Sequence, residues 1–533
     1  YLVSWSGCRA LDNGLIKPCS LAPGGAGAAP PLFGIWALDT AQQLQQPVVL
    51  GQEGMMISDL LAAEPRSRES IFVDSVDTNL ATDQQAILNI RSVYDLDGLD
   101  ASPAGIAANA DPAVTDPATI GEKFLRIVKG VSIPDEDVRD FDNSAFGVNA
   151  SQRMREIIGY VPIEPDGSVR TLVPANVPLM ISVVDADGKR VGQRHDSWIH
   201  LAPGATLQCV GCHANNSNEP HGRPDAQPPS VNPGAPTGSF TVFPNTEILS
   251  FVTTGGETMG EAYATDNLIA ARTPSVDVVY TDDWTNDLLP GLSKSPPFSF
   301  LYQNLTTAAP VSIGCQTAWD ERCRTIIHYE THIQPLWEEP RMPIDDGSGM
   351  NMVDTCIGCH TTNGGTQVPA AQLDLTATAS DIDPDQFTSY RELLRNDGEQ
   401  ADNGGTVAER SWQCNIVDPQ TLQPVPDGMG GFQQEIRTPT NTVPATMSEA
   451  GANFGNSPAF FGCMTMDNAC AGFIGDPLPA GPPDECSEIG GTPVASWPTI
   501  NHNGLLSPDE LRLIAEWLDI GAQYYNNPFD APL

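Results

Sequence analysis

The pentapeptide Cys-x-x-Cys-His occurs twice in this chain of 533 residues, as Cys209-Val-Gly-Cys212-His213 and as Cys356-Ile-Gly-Cys359-His360. Two thiols one helical turn apart can add to the vinyl groups along one edge of a haem, and the His that follows then lies under the iron as proximal ligand. A thioredoxin-like redox pair would not need the trailing His in both copies, and the βαβ context it requires is not evident. A zinc site would need two more ligands, normally in a second close cluster. Two covalent haem c groups, each with its iron, are therefore the expected cofactors, and the fold has to accommodate both.

The sixth position of each iron decides between electron transfer and catalysis. His502 stands in Ile500-Asn-His-Asn-Gly-Leu-Leu506, just before the last helical pattern, and is expected to pair with His360; Met464 or Met466 is the alternative. For the first haem the candidates are His200, placed first, and His195, both in Arg194-His-Asp-Ser-Trp-Ile-His200. Either could instead bind a haem propionate, which leaves His332, His328 or an open or Tyr-filled position. His328 and His332 stand four apart, but Tyr329 occupies the place where a zincin needs Glu, so a metalloprotease is disfavoured.

The other eight cysteines, Cys8, Cys19, Cys315, Cys323, Cys414, Cys463, Cys470 and Cys486, suggest four disulfides. Local spacing pairs Cys8 with Cys19 and Cys315 with Cys323, and leaves two bridges among the last four. Such bridges point to the periplasm or the cell exterior. The first residues, Tyr1-Leu-Val-Ser-Trp-Ser, carry neither an initiator Met nor the regions of a signal peptide, so a processed or missing N-terminus is expected. No apolar run reaches the roughly 20 residues of a membrane-spanning helix.

Acidic residues outnumber basic ones 67 to 26, for a formal net charge of −41. A surface of that sign repels nucleic acid and anionic lipid, confers solubility, and suits a basic redox partner protein. An oligomer is compatible with it. The many acidic loops could bind Ca²⁺, although no EF-hand spacing occurs.

Gly 48 and Pro 47 favour short strands, turns and ordered loops. The expected fold is mixed, mainly β with loops. Residues 1–70 pass through the low-complexity stretch 22–31 and read as the end of a β-propeller. Residues 71–217 carry the strand patterns Ile71–Val76, Ala86–Tyr94, Phe124–Ser132, Ser168–Val173 and Leu179–Val184, with hairpin signals at Asp166-Gly167 and Asp187-Gly188, and read as a β-sandwich-like domain ending in the first motif. A linker and mixed segment fills 218–325, densest in Pro, Asn and Gly up to Gly238. Residues 326–533 form a mostly α, cytochrome c-like domain with the second haem and a disulfide-pinned insertion at about 400–500. Its last helix opens on Ser507-Pro508-Asp509-Glu510, an N-cap, a first-turn Pro and a Glu at N3, and then repeats Leu511, Ile514, Ala515 and Leu518.

Four stretches resemble the catalytic α-subunit of hydrazine synthase and its wider relatives: Glu164–Leu179, Leu201–His213, Thr331–Trp337 and His502–Gln523. The resemblance implies a β-propeller of which Tyr1 lies near the last blade, a β-rich middle portion holding one haem, and a cytochrome c-like domain holding a bis-His haem. Cys209, Cys212, His213, Cys356, Cys359, His360 and His502 correspond one by one. In that family the catalytic haem has a Tyr close after its motif, whereas Ala-Asn-Asn-Ser-Asn-Glu-Pro follows His213 here. Three functions are thereby open: an electron-transfer cytochrome, a haem enzyme acting on a small nitrogen or oxygen species at an open first haem, and a structural or filament-forming cytochrome.

Overall fold

The computed structural model describes residues 1–57, 60, 76–140, 143–148, 154–195, 197–214, 216–217, 227–236, 243–247, 255–345, 352–437, 445–448, 457–466, 486–488 and 500–530. They are mainly strands and loops, and the chain divides into two compact units, Tyr1–Asp74 and Ser75–Leu533. In the first unit the strands Leu2–Trp5, Gly34–Asp39 and Leu44–Val49 form one antiparallel sheet, and Leu15–Pro18, Arg9–Asp12 and Gly27–Ala28 another. Asn13 and Gly14 both take positive φ, 49° and 80°, which is the two-residue turn that matches strand twist. Cys8 and Cys19 stand at disulfide distance across the open end of that hairpin.

The second unit is organised around two three-stranded sheets. Phe124–Gly130 runs between Arg155–Pro162 and Leu179–Val184, while Gln85–Ile90 runs between Val169–Pro174 and Thr206–Cys209. Leu125, Ile127, Ile158 and Val161 of the first sheet meet Ala86, Leu88, Ile90 and Val173 of the second in one apolar cluster. Successive side chains point to opposite faces of a strand, so Phe124, Val128, Ile157 and Tyr160 face the other way and join a larger core with Tyr329, Trp337, Tyr390 and Trp517. The sheet centred on Phe124–Gly130 is thus covered on both faces. That explains why Arg155–Pro162 escaped the sequence reading: a strand buried on both sides shows no alternation.

Four of the expected strands are present as Gln85–Ile90, Phe124–Gly130, Val169–Pro174 and Leu179–Val184. The Ile71–Val76 pattern lies, up to residue 75, outside the described residues. Asp187-Gly188 makes the expected tight turn, with Gly188 at φ 74° and Val184 bridged to Arg190. Asp166-Gly167 does not close a hairpin. It carries the chain from one sheet to the other, because the flanking strands take partners in different sheets.

The terminal helix, Pro508–Asp519, has the expected capping box: Ser507 Oγ accepts from the Glu510 amide at 3.2 Å, and the Glu510 carboxylate accepts from the Ser507 amide at 2.7 Å. The structure buries its polar face as well as its apolar one, with Arg512, Glu516 and Asp519 all under 3% exposed. Asp519 accepts from Arg126 and from Arg190, each at 2.6 Å. Glu516 accepts from Tyr160 at 2.5 Å, Tyr302 at 2.7 Å and Arg512 at 2.8 Å. Burial raises the Asp519 carboxyl, but Arg126, Arg190 and Arg194 outweigh it and hold the group below its usual range.

Asp519 keeps Arg190 when Arg126 is removed, so Arg126→Met is expected to cost about 1.5–3 kcal/mol, the worth of a charged hydrogen bond, less than a fully stranded charge, in guanidinium denaturation. Because the folded pKa of Asp519 lies below its unfolded value of about 3.9, its contribution is full above that pH. It is lost as pH falls through the depressed value. Stability measured against pH should show this loss in the native chain and lack it in Asp519→Asn.

Candidate cofactor-attachment sites

The first motif begins at the end of a strand. Cys209 pairs in parallel register with Ile90, and its carbonyl accepts from the Arg91 amide at 2.9 Å. The chain then meets the segment after Tyr94: the Cys212 amide donates to the Asp95 carbonyl at 2.7 Å, the Asp97 amide to the Cys212 carbonyl at 3.1 Å, and the Ala214 amide to Asp97 Oδ2 at 3.0 Å. Asp95 is itself fixed, accepting from the amides of Gly98 and Val231 and from Ser230 Oγ. Gly211 lies so close to this segment that a Cβ there would sit 2.5 Å from the Asp95 carbonyl oxygen.

His195 lies against His213, with ring centroids 5.9 Å apart and planes at 86°. The His195 amide donates to the Ile181 carbonyl at 3.1 Å, placing the residue beside the Leu179–Val184 strand. Its Nδ1 is 2.7 Å from the Ser197 carbonyl. A carbonyl can only accept, so Nδ1 carries the hydrogen and Nε2 the lone pair. His213 is exposed. His200, placed first in the sequence reading, lies further along the same segment and is exposed.

The second motif is a short helical turn, Cys356–Gly358, in which the His360 amide donates to the Cys356 carbonyl at 3.0 Å. Gly358 is required there, because a Cβ would collide with the Val353 side chain. The segment entering the motif is tied down by Arg341. Its guanidinium makes two bonds of 3.1 Å to Glu510 and donates to the carbonyls of Leu505 and Leu336 at 2.7 Å. Its amide donates to the Asp354 carbonyl at 2.6 Å.

His502 lies against His360, with centroids 6.1 Å apart. Its Nδ1 is 2.9 Å from the Ile500 carbonyl, so here too Nε2 carries the lone pair. His360 Nδ1 is buried without a hydrogen-bond partner. Burial, with His502 adding to it, pushes His360 down to about 4, and burial lowers His502. Both imidazoles are therefore neutral at neutral pH, the form that binds a metal. Met464 is half-buried near this loop, its carbonyl accepting from the Gly504 amide, and Met466 is exposed.

His332 is placed differently. It is packed in the core, its Nδ1 accepts from the His328 amide at 2.9 Å, and burial pushes it down to about 4. His328 Nε2 is 3.0 Å from Asp530. His221 lies outside the described residues.

An imidazole nitrogen binds a transition metal at about 2 Å, and its ring centroid lies about 1 Å further out, so two imidazoles on opposite faces of one iron stand roughly 6 Å apart. Both His pairs have that separation. The four motif cysteines are half-buried and outside disulfides, and burial pushes Cys209 and Cys212 up to about 11. The donor set at each motif therefore fits a covalently attached haem. For Ca²⁺, no group of three or more His, Cys, Asp or Glu is arranged to hold a metal ion among the described residues. Both pairings expected from spacing, Cys8 with Cys19 and Cys315 with Cys323, stand at disulfide distance among the described residues, and of the last four cysteines, whose pairing the sequence left open, Cys414 stands so with Cys486. No helix among the described residues is long and apolar enough to cross a membrane.

Residues 121–214 match the family described as the hydrazine synthase alpha subunit middle domain. The match takes in the central sheet, the His195 segment and the whole first motif. Among solved structures, Kuenenia stuttgartiensis hydrazine synthase aligns at 16% identity with a TM-score of 0.35, over 93% of this chain and 52% of that one. The chain thus spans about half the length of that neighbour. No curated protein matches it.

Asp95, Asp97, Gly211, Gly358 and Arg341 shape the two sites and were not singled out from sequence. Gly211→Ala is expected to destabilise the protein by about 1–3 kcal/mol, whereas Gly121→Ala, with no atom within 4 Å of the added carbon, should be near neutral. Paired denaturation curves decide this.

Proposed function

We propose that the chain is an exported diheme c-type cytochrome that transfers electrons. Cys209, Cys212 and His213 would hold one haem and Cys356, Cys359 and His360 the other, with His195 and His502 each supplying a second imidazole to the iron. The observation that carries this reading is the recurrence, at both motifs, of two cysteines outside disulfides beside a pair of imidazoles about 6 Å apart. Each haem, when bound, supplies a one-electron iron couple. The protein's part is to orient the Nε2 atoms of His195 and His502 through the carbonyls of Ser197 and Ile500. Two imidazoles per iron leave no position for a substrate, which favours transfer over catalysis. The charge of −41 suits a basic redox partner, and the three cysteine pairs at disulfide distance suit the periplasm or the cell exterior.

A second reading, a haem enzyme of the hydrazine synthase-like type, is favoured by one observation. His213 is exposed, and its motif lies within the match to an enzyme subunit's middle domain. The two readings part on ligand binding. Purified protein should gain the mass of two haems, of which Cys209→Ser with Cys212→Ser removes one and Cys356→Ser with Cys359→Ser the other. Low-temperature EPR of the oxidised protein should show two low-spin irons with no carbon monoxide-induced shift after reduction. A colourless protein overturns both readings, and a high-spin, carbon monoxide-binding first haem overturns the first.

A further inference from the structure

The terminal helix meets the surroundings of both His pairs, one at each end. At its N-terminus Glu510 holds Arg341, which donates to the Leu505 carbonyl, and the Leu505 amide in turn donates to the His502 carbonyl at 3.1 Å. At its C-terminus the Asp519 backbone carbonyl accepts from Arg194, the residue before His195, at 2.6 Å. The Asp519 carboxylate holds Arg190, four residues earlier, and Arg126 of the central strand, each at 2.6 Å. Arg190 also donates to the Gly192 carbonyl at 2.6 Å. The chain from Arg190 to His195 is therefore fastened at both ends to one buried residue, while Gly192 and Gln193 between them are exposed. The unpaired carbonyls at a helix C-terminus favour cations, and Arg194 and Arg190 occupy that position.

We propose that Asp519 is a positioning residue for the first haem: through Arg190 and Arg194 it holds the His195 ring over the face opposite His213. This rests on the reading of His195 as an iron ligand. Removing the carboxylate takes from Arg190 and from Arg126 the buried charged partner that each now holds at 2.6 Å. The 190–195 segment, exposed at Gly192 and Gln193, can then swing outward to hydrate Arg190, and carry His195 from the iron.

The test uses the full chain with both haems attached, as Asp519→Asn, Arg194→Ala, Arg194→Lys and, for reference, His195→Ala. Spin state is read by EPR and carbon monoxide stoichiometry by optical titration. Asp519→Asn and Arg194→Ala are expected to convert the first haem alone, half of the total, to the high-spin, carbon monoxide-binding spectrum of His195→Ala. Arg194→Lys keeps a donor for the Asp519 carbonyl and should remain low-spin. Should Asp519→Asn fail to fold, Arg194→Ala decides the link through the Asp519 backbone carbonyl and Arg190→Lys the link through its carboxylate, each leaving the Arg126–Asp519 pair intact. Two low-spin irons persisting in both variants overturn the proposal while leaving His195 as ligand untouched. A first haem that is already high-spin in the native chain, or unchanged in His195→Ala, overturns the ligand reading and this proposal with it. A purely structural role for Asp519 would lower the melting temperature without separating the two haems, and that result also counts against it.

Discussion

Arg126, Arg190, Arg512, Glu516 and Asp519 form a buried ionic lattice between the central sheet and the terminal helix, and the rest of the second unit is arranged around it. Charges taken out of water cost several kcal/mol each unless they are paired and hydrogen-bonded. Here Asp519 has two guanidinium partners, and Glu516 has one guanidinium and two phenols. Arg512 spends its other donors on the carbonyls of Phe300 and Val276. Such a lattice is satisfied in one arrangement only, so it fixes the direction and depth at which the helix crosses the sheet. Apolar packing by Trp517, Leu513 and Ile514 fills the same interface and tolerates small displacements better than the ionic bonds do.

Helix placement decides where His502 and Arg194 lie, and hence the approach of a second imidazole to each motif. The same donor set then stands in two environments. The first motif extends from a sheet edge and ends in an exposed His213, with Asp95 and Asp97 fixing the turn. The second is a helical turn against the larger core, with His360 half-buried and its Nδ1 enclosed. On the proposed reading these differences in burial and hydrogen bonding are the means by which one protein sets two different iron potentials.

The features legible in the sequence are those whose cause lies within a few residues. The two pentapeptides, the capping box at Ser507 and Glu510, the Asp187-Gly188 turn and the short Cys8–Cys19 and Cys315–Cys323 pairings all have local stereochemical reasons. That His502 stands beside His360 was legible because the loop before a capped helix has limited reach. Arg155–Pro162 was not, since burial of both faces removes the period that marks a strand. Asp166-Gly167 was read as a hairpin because turn chemistry specifies a reversal of direction but not the strand that receives the chain.

The sequence by itself determined where the motif thiols and their adjoining histidines are, how the last helix begins, and that the chain would be mainly β with loops. Only the tertiary structure decided that the polar side of that helix is buried rather than hydrated, and that His195 rather than His200 faces His213. Both outcomes depend on Arg126, Arg190 and Arg194 meeting Asp519 across more than three hundred residues of chain. A pairing at such separation leaves no periodic or local mark, because it is selected by the packing of sheet against helix and not by the residues on either side of it.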